Sequence, residues 1–392
     1  MIDKQIIFVV SHVNGGVGRV ISLLSGELLK KGYAVSVIFT SDENNPDFCN
    51  NRDVETVFLS SLITKSKHDA FAASITMLFA RFVGKLGFLD YSSILKFKSR
   101  NYTRVKALKR YFRKNKPSTV ISFLYDAMFL SLLSVNRKNR LVISERVDPC
   151  QSLDSKIDLA FFRKMFPRAD EMVFQSPDVK KWYNENTDVK GTVIYNPIKP
   201  ELPLMHSGER NKNIVNFCRI NSQKNLKLLI EAFSILHRDF PDYNLCIYGN
   251  AAGLAAAKYR DEVIEYANST DCRSDIHFYP ASNNIHEIIK DSAMFVSSSD
   301  FEGMSNSMLE AMAMGMPVVC TDCPAGGARA VIKDHENGLL TPVGDAEALY
   351  KAMKEVIENP DLAKKMGENA AKIKEEQSVE KITKKWMEII NG

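Results

Sequence analysis

Two glutamates eight residues apart, Glu302 and Glu310, have the side chains and spacing best suited to chemistry in this sequence. They lie in Phe301-Glu-Gly-Met-Ser-Asn-Ser-Met-Leu-Glu-Ala-Met-Ala-Met-Gly-Met-Pro317, which opens as a loop and continues as an apolar helical pattern. At about 3.6 residues per turn, Glu310 stands two turns inside that helix. Its neighbours Leu309, Ala311, Met312, Ala313 and Met314 are apolar, so its carboxylate needs partners, and sugar hydroxyls are suitable ones. Gly303, Ser305 and Asn306 are residues that loops and helix caps prefer. A helix beginning there offers unpaired amides and a positive dipole end, both of which suit a phosphate. Gly303 also lets a ligand come close to the backbone.

A second group is cationic. Arg219-Ile-Asn-Ser-Gln-Lys224-Asn225 follows a strand pattern at residues 214–218 and precedes a helical pattern from residue 226 to about 237. Two cations between a strand end and a helix start can neutralise charge that develops on a departing diphosphate. A third group follows the first strand pattern, residues 6–10. There Ser11-His-Val-Asn-Gly-Gly-Val-Gly-Arg19 leads into a helical pattern over residues 20–30. Strand, glycine-rich turn and helix outline a phosphate-binding unit, but Gly15-Gly16-Val17-Gly18 does not fit the dinucleotide spacing Gly-x-Gly-x-x-Gly. A tight turn with positive φ explains these glycines equally well. His12 in the same loop stands alone, which fits a structural histidine as readily as a catalytic one.

At Glu302 to Val319 the sequence resembles the retaining, nucleotide-sugar-dependent glycosyltransferases called glycosyl transferases group 1, or family 4. Their pattern is Glu-Gly-x-x-Asn-x-x-x-Glu-Ala-Met-Ala-x-Gly-x-Pro-Val-Val, matched here almost position for position. The resemblance implies the GT-B fold: two Rossmann-like α/β domains whose parallel sheets face each other across a cleft, with a last helix crossing back to the first domain. It implies that Arg219 and Lys224 hold the donor diphosphate, where the family carries Gly-Arg-x-x-x-x-Lys-Gly or Lys-Asn; the preceding glycine is Cys218 here. Glu310 would hold ribose hydroxyls and Glu302 the sugar hydroxyls. Gly303, Met304, Ser305, Asn306 and Leu309 would complete that donor segment, and Gly16 would face the donor from the first domain. Tyr279 and Ile285 fall where the family contacts the nucleotide base. A histidine that many members carry near residues 144–149 is replaced by Ser-Glu-Arg-Val-Asp-Pro, so that role does not transfer. Glu145 and Arg146 become acceptor-site candidates, with a local ion pair as the alternative.

The elements that must position these residues read as alternating strands and helices. Further strand patterns fall at residues 33–40, 120–124, 141–144, 172–174, 192–198, 243–249, 276–280, 294–298 and 317–321. At 392 residues two domains are expected. The stretch 199–213, with Pro200, Pro203 and Gly208, is the best boundary. The expected division is an acceptor domain over residues 1–198, a nucleotide-sugar domain over 199–375 and a returning helix over 376–392. The first residues lead straight into a strand with no secretory signal, and no uncharged apolar run reaches 18 residues. The seven cysteines are scattered; Cys320-Thr-Asp-Cys323 has no second pair or histidine cluster beside it, so incidental thiols in a reducing cytoplasm are expected.

Residues 61–119 resemble the family least. The stretch 71–89 is rich in Phe, Leu, Ile and Met, and residues 91–119 carry ten basic residues without one acid. Aromatics among those charges favour a surface that meets anionic lipid over a merely solvated face. Nucleic acid would also attract it, but no nucleic-acid-binding module pattern is present.

The expectation is thus a cytoplasmic transferase, peripheral on the inner face of the cell membrane. It would move a hexose or N-acetylhexosamine from a UDP-sugar, or mannose from GDP-mannose, to a glycan or lipid-linked saccharide in bacterial surface polysaccharide synthesis. No Asp-x-Asp motif occurs, so no metal and no cofactor beyond the donor are expected. Rivals are a nucleotide-sugar epimerase of the same fold, a nicotinamide enzyme that would leave the two glutamates unexplained, and a non-catalytic scaffold.

Overall fold

After Gln5, strand β1 (Gln5–Val10) is apolar and buried, as a parallel strand covered on both faces must be. It pairs in parallel with β2 (Ala34–Phe39) on one side. β3 (Glu55–Phe58) lies beyond β2, and β4 (Thr119–Phe123), β5 (Arg140–Ser144), β6 (Glu171–Phe174) and β7 (Gly191–Val193) follow on the other side of β1. The computed structural model describes residues 4–12, 16–42, 53–64, 66–149, 153, 155–187, 189 and 191–392. Gly15 lies outside the described residues.

The chain divides into two compact units, Met1–Tyr195 with Val379–Gly392, and Asn196–Ser378. The boundaries expected at 198/199 and 375/376 fall three residues from these points. Each unit is a Rossmann-like α/β layer structure built on a wholly parallel sheet. Among the described residues the first sheet runs β3-β2-β1-β4-β5-β6-β7. The second is built from β8 (Asn213–Phe217), β9 (Asn244–Tyr248), β10 (Ile276–Tyr279), β11 (Met294–Ser297), β12 (Val318–Thr321) and β13 (Leu339–Thr341), in the order β10-β9-β8-β11-β12-β13. β13 and β3 were not among the expected strands; they are short edge strands whose residues carry little local pattern.

In the second unit the helix Leu226–Asp239 lays Leu226, Leu229, Ile230, Phe233 and Leu236 on the sheet, an apolar face at helical spacing. The helix Val379–Asn391 belongs to the first unit. Its Ile382, Trp386, Ile389 and Ile390 join the core of β1, β2 and β4, and the Asn391 carboxamide bonds Lys4 and Tyr33.

Within residues 61–119, legible beforehand only as composition, lie the helices Lys67–Lys85, Leu89–Arg100 and Tyr102–Asn115. Several of the basic residues there are tied within the unit. Arg104 forks onto Asp126 (2.7 and 3.1 Å) and donates to the Thr40 carbonyl. Lys106 pairs with buried Asp69, and Arg110 reaches the Leu62 carbonyl. Phe97 packs edge-on against Phe129 and Phe161, so it faces the interior and not a lipid surface.

Candidate functional site

Both sheets reverse their strand order beside their first strand, and an open parallel sheet binds its ligand beyond the strand ends at such a point. In the second unit the reversal lies between β8 and β11. The chain leaving β8 carries Arg219 and Lys224; the chain leaving β11 carries Glu302. The expected groups therefore meet because β8 and β11 are neighbours.

The exit of β8 is held closely. The Cys218 amide bonds the Tyr248 carbonyl (3.0 Å), and a Cβ on Gly249 would lie 2.0 Å from the Cys218 carbonyl oxygen, so only glycine fits there. A 3-10 turn, Ser222–Lys224, ends at Asn225 in the left-handed region (φ 41°), whose side chain caps the following helix by accepting from the Leu228 amide. This turn is laced to the β11 exit. The Ser298 hydroxyl donates to the Lys224 carbonyl (2.9 Å), the Asp300 amide to the Gln223 carbonyl (3.0 Å), and the Asn225 carboxamide to Asp300 Oδ1 (2.7 Å). Gln223 donates to the Phe301 carbonyl (2.8 Å) and to Glu302 Oε2 (3.2 Å).

Lys224 Nζ donates to the same Glu302 oxygen. Burial disfavours the ammonium, but the Glu302 carboxylate outweighs it and holds the Lys224 pKa above its ordinary 10.5. Arg219, by contrast, is exposed. The two cations differ in kind: Arg219 is exposed, while Lys224 is buried and bonded to Glu302.

The Ser305 hydroxyl caps the helix Asn306–Ala313 by accepting from the Met308 amide. Met304 and Leu309 turn into the core, and the Leu309 amide bonds the Ser305 carbonyl (3.1 Å). Those two residues shape the segment from behind. Asn196, at the start of this unit, donates to Asn306 Oδ1 (2.8 Å) and to the Met304 carbonyl (3.4 Å). From the other side the Gly327 backbone crosses Gly303 so closely that a Cβ there would stand 1.5 Å from the Gly303 carbonyl oxygen.

Glu310 is 3% exposed, and His286, 4% exposed, approaches its Oε2 through Nε2 at 2.8 Å. The Phe217 ring stands edge-on to the imidazole. Ile285, the neighbouring candidate, is buried, whereas Tyr279 is 41% exposed and stacks on Tyr248 with ring centroids 4.8 Å apart. That pair presents an aromatic face at the ends of β9 and β10.

Sequence reasoning passed over Asn196, Gln223, His286 and Gly327 as site residues. The Asn-Pro step at 196–197 is a visible signal for the first and the Gly326-Gly327 step for the last; Gln223 and His286 have none, because their contacts arise from packing between distant segments.

In the first unit, Gly16 opens the helix Gly16–Lys30 after β1, and His12 is half-buried at the strand exit. The Glu145 carboxylate and the Arg146 guanidinium attract each other electrostatically, and each has further partners within its own unit. Glu145 accepts from Tyr125 (2.8 Å), Tyr183 (2.7 Å) and the amides of Arg146 and Val147. Burial raises its pKa, and these donors oppose the rise. The Arg146 guanidinium donates to Ser144 (2.7 Å) and lies over the Phe123 and Trp386 rings; burial brings its pKa down to about 9. Both side chains are buried and engaged with their own unit.

Residues 206–373 match the family described as Glycosyl transferases group 1, and residues 14–202 match Glycosyltransferase Family 4. The chain belongs to the group 1 glycosyltransferases. It is 27% identical over 180 residues to an uncharacterized glycosyltransferase of Haemophilus influenzae, covering 46% of this chain and 49% of that one. Over 285 residues it is 26% identical to N-acetylgalactosamine-N,N'-diacetylbacillosaminyl-diphospho-undecaprenol 4-alpha-N-acetylgalactosaminyltransferase of Campylobacter jejuni, covering 69% and 75%. The chain spans about half or less of the first curated relatives it matches. Its fold is that of Anabaena HepE, solved in complex with UDP and glucose: TM-score 0.77 at 15% identity, over 99% of this chain and all of that one. The two-domain GT-B fold is thereby established.

Proposed function

We propose that this protein transfers a hexose or N-acetylhexosamine, with retention, from a nucleoside-diphosphate sugar to a hydroxyl of a glycan or lipid-linked saccharide. A UDP-sugar is the favoured donor. The observation that carries this reading is the Lys224–Glu302 pair at the strand-order reversal, together with exposed Arg219 and buried Glu310 on the same two segments.

Arg219 meets the diphosphate and, with the amides of Gly303 to Ser305, stabilises the charge that grows on it as the glycosidic bond breaks. Lys224 adds positive potential and fixes the Glu302 carboxylate toward the sugar hydroxyls. Glu310 accepts from the ribose hydroxyls, Tyr279 offers its ring to the base, and the Gly16 amide serves the donor from its helix start. Neither glutamate is assigned as a nucleophile; the departing phosphate oxygen takes the proton of the incoming hydroxyl on the same face of the sugar. Cationic side chains fill the part that a divalent metal plays elsewhere, so no metal is required.

Bacterial surface polysaccharide assembly fits the names of relatives such as the Campylobacter enzyme. A setting on the inner face of the cell membrane follows from that reading, with the basic residues of 91–119 meeting anionic lipid. Among the described residues no helix is long and apolar enough to cross a membrane.

The test is turnover of a panel of sugar nucleotides, with and without a lipid-linked acceptor. Slow donor hydrolysis that accelerates with acceptor, giving an α-linked product from an α-linked donor, is the expected result. Interconversion of donor sugars without acceptor would make it an epimerase, and binding without any turnover a scaffold.

A further inference from the structure

A helix packed on a water-soluble protein turns its large apolar residues inward. The helix Lys67–Lys85 does the reverse. Against the helix Leu89–Arg100 it presents small residues: Ser92 donates to the Ala80 carbonyl (2.8 Å), Ser99 to the Ala73 carbonyl (2.7 Å), and a Cβ on Gly84 would touch Ser92 Oγ at 2.8 Å. Its outer face carries Phe71, Ile75, Leu78, Phe79 and Phe82, continued by Leu86 just past its end, every one at least 50% exposed. These residues fall at spacings of three and four and form one stripe. Phe88 and Leu89, at the turn of the hairpin, are exposed beside them. A stripe of this length exceeds the scattered apolar exposure normal for a free surface.

The charge on that face has one sign. Lys67, Arg81 and Lys85 are exposed beside the stripe, while Asp69, the helix's sole acid, is buried and paired with Lys106. A second copy would bring the same cations against themselves, on a chain whose net charge is already +5. An anionic apolar medium satisfies both features at once. A recess of about 510 Å³ also opens next to the stripe, with Phe79, Phe88, Tyr91 and Leu95 in its wall and Lys98 and Arg168 among its lining. Its size and chemistry suit the chain of an anionic lipid.

We propose that the hairpin of residues 67–100 is an interfacial anchor that enters the acyl layer of an anionic bilayer through the stripe Phe71 to Leu86, with Lys67, Arg81 and Lys85 at the headgroups. This deepens the membrane setting proposed above and moves the contact from the basic segment, part of which is tied internally, to the hairpin.

The test is flotation of the full chain with vesicles of phosphatidylglycerol and phosphatidylcholine, against phosphatidylcholine alone. The wild type floats with the anionic vesicles and far less with the neutral ones. Leu78→Ser with Phe79→Ser and Phe82→Ser lowers its partition by about tenfold or more, from the lost transfer of three large apolar side chains, while circular dichroism is unchanged. Lys109→Glu with Arg113→Glu, in the basic segment, has the smaller effect. The inference is overturned if the wild type stays off anionic vesicles, if the serine variant floats as well as the wild type, or if the basic-segment variant alone abolishes binding. Light scattering that shows a stripe-dependent dimer in place of vesicle binding overturns it as well. Donor turnover is read separately in detergent-free buffer: an inactive protein that floats through the stripe supports the anchor and defeats only the transferase reading.

Discussion

The Lys224 ammonium and the Glu302 carboxylate, 78 residues apart in sequence, share a charged hydrogen bond at the exits of β8 and β11. The pair makes one functional unit of a cation and an acid that the sequence motif treats separately. Arg219 stands exposed nearby.

Removing either cation should slow transfer for different reasons. Arg219→Ala is expected to lower turnover by about 10²–10³, the scale of deleting one stabiliser of transition-state charge. Lys224→Ala should fall in the same range, and combining it with Glu302→Gln should cost less than the sum of the two, because each single change already breaks the shared bond. Single-turnover sugar release measures both. Unchanged rates in Arg219→Ala and Lys224→Ala would remove the clamp from the mechanism.

Stability at alkaline pH should report the same pair. Lys224 holds its proton more tightly folded than unfolded, its pKa lying above the ordinary 10.5. Its contribution is therefore complete below pH 10.5 and is lost as pH rises through the folded pKa. Urea midpoints of the wild type should decline over that window more steeply than those of Lys224→Met. Parallel declines would mean that the pair adds nothing to folding.

The two glutamates should separate binding from rate. Glu310→Gln is expected to weaken UDP binding by about 1.5–3 kcal/mol, the range for hydrogen bonds to a charged group. His286→Ala should shift UDP affinity in the same direction, since it leaves the Glu310 carboxylate without its 2.8 Å partner. Glu302→Gln should depress turnover more than UDP affinity, because free UDP lacks the sugar. Titration calorimetry decides this, and equal affinity losses at Glu302 and Glu310 would contradict the division.

Gly327→Ala tests the packing behind the donor loop. The new Cβ would stand 1.5 Å from the Gly303 carbonyl oxygen, and a backbone atom cannot yield as a side-chain tip does. A loss of about 1–3 kcal/mol in stability is expected, the range for overpacking, together with weaker donor binding. A melting curve and UDP affinity both unchanged would show that the crossing relaxes freely.

The α/β class is legible in the sequence, because buried parallel strands such as Ile6 to Val10 and Met294 to Val296 are continuous apolar runs flanked by helical periodicity. The sequence also exposed Arg219, Lys224, Glu302 and Glu310, whose spacing is local and survives in one dimension. Their contacts, by contrast, depend on the folded chain. Lys224 meets Glu302 because β8 and β11 are hydrogen-bonded neighbours, an adjacency set by crossover topology that neither segment encodes. His286, on the helix Ile285–Ile289, reaches Glu310, and Gly327 crosses Gly303, through packing of segments distant in sequence. Glu145 and Arg146 looked equally available in sequence, but four donors and two aromatic rings enclose them in the first unit. The apolar run 71–89 was legible as composition; which face it leaves uncovered depends on the small residues Ala73, Ala80 and Gly84 meeting Ser92 and Ser99, a close approach that only the folded hairpin reveals.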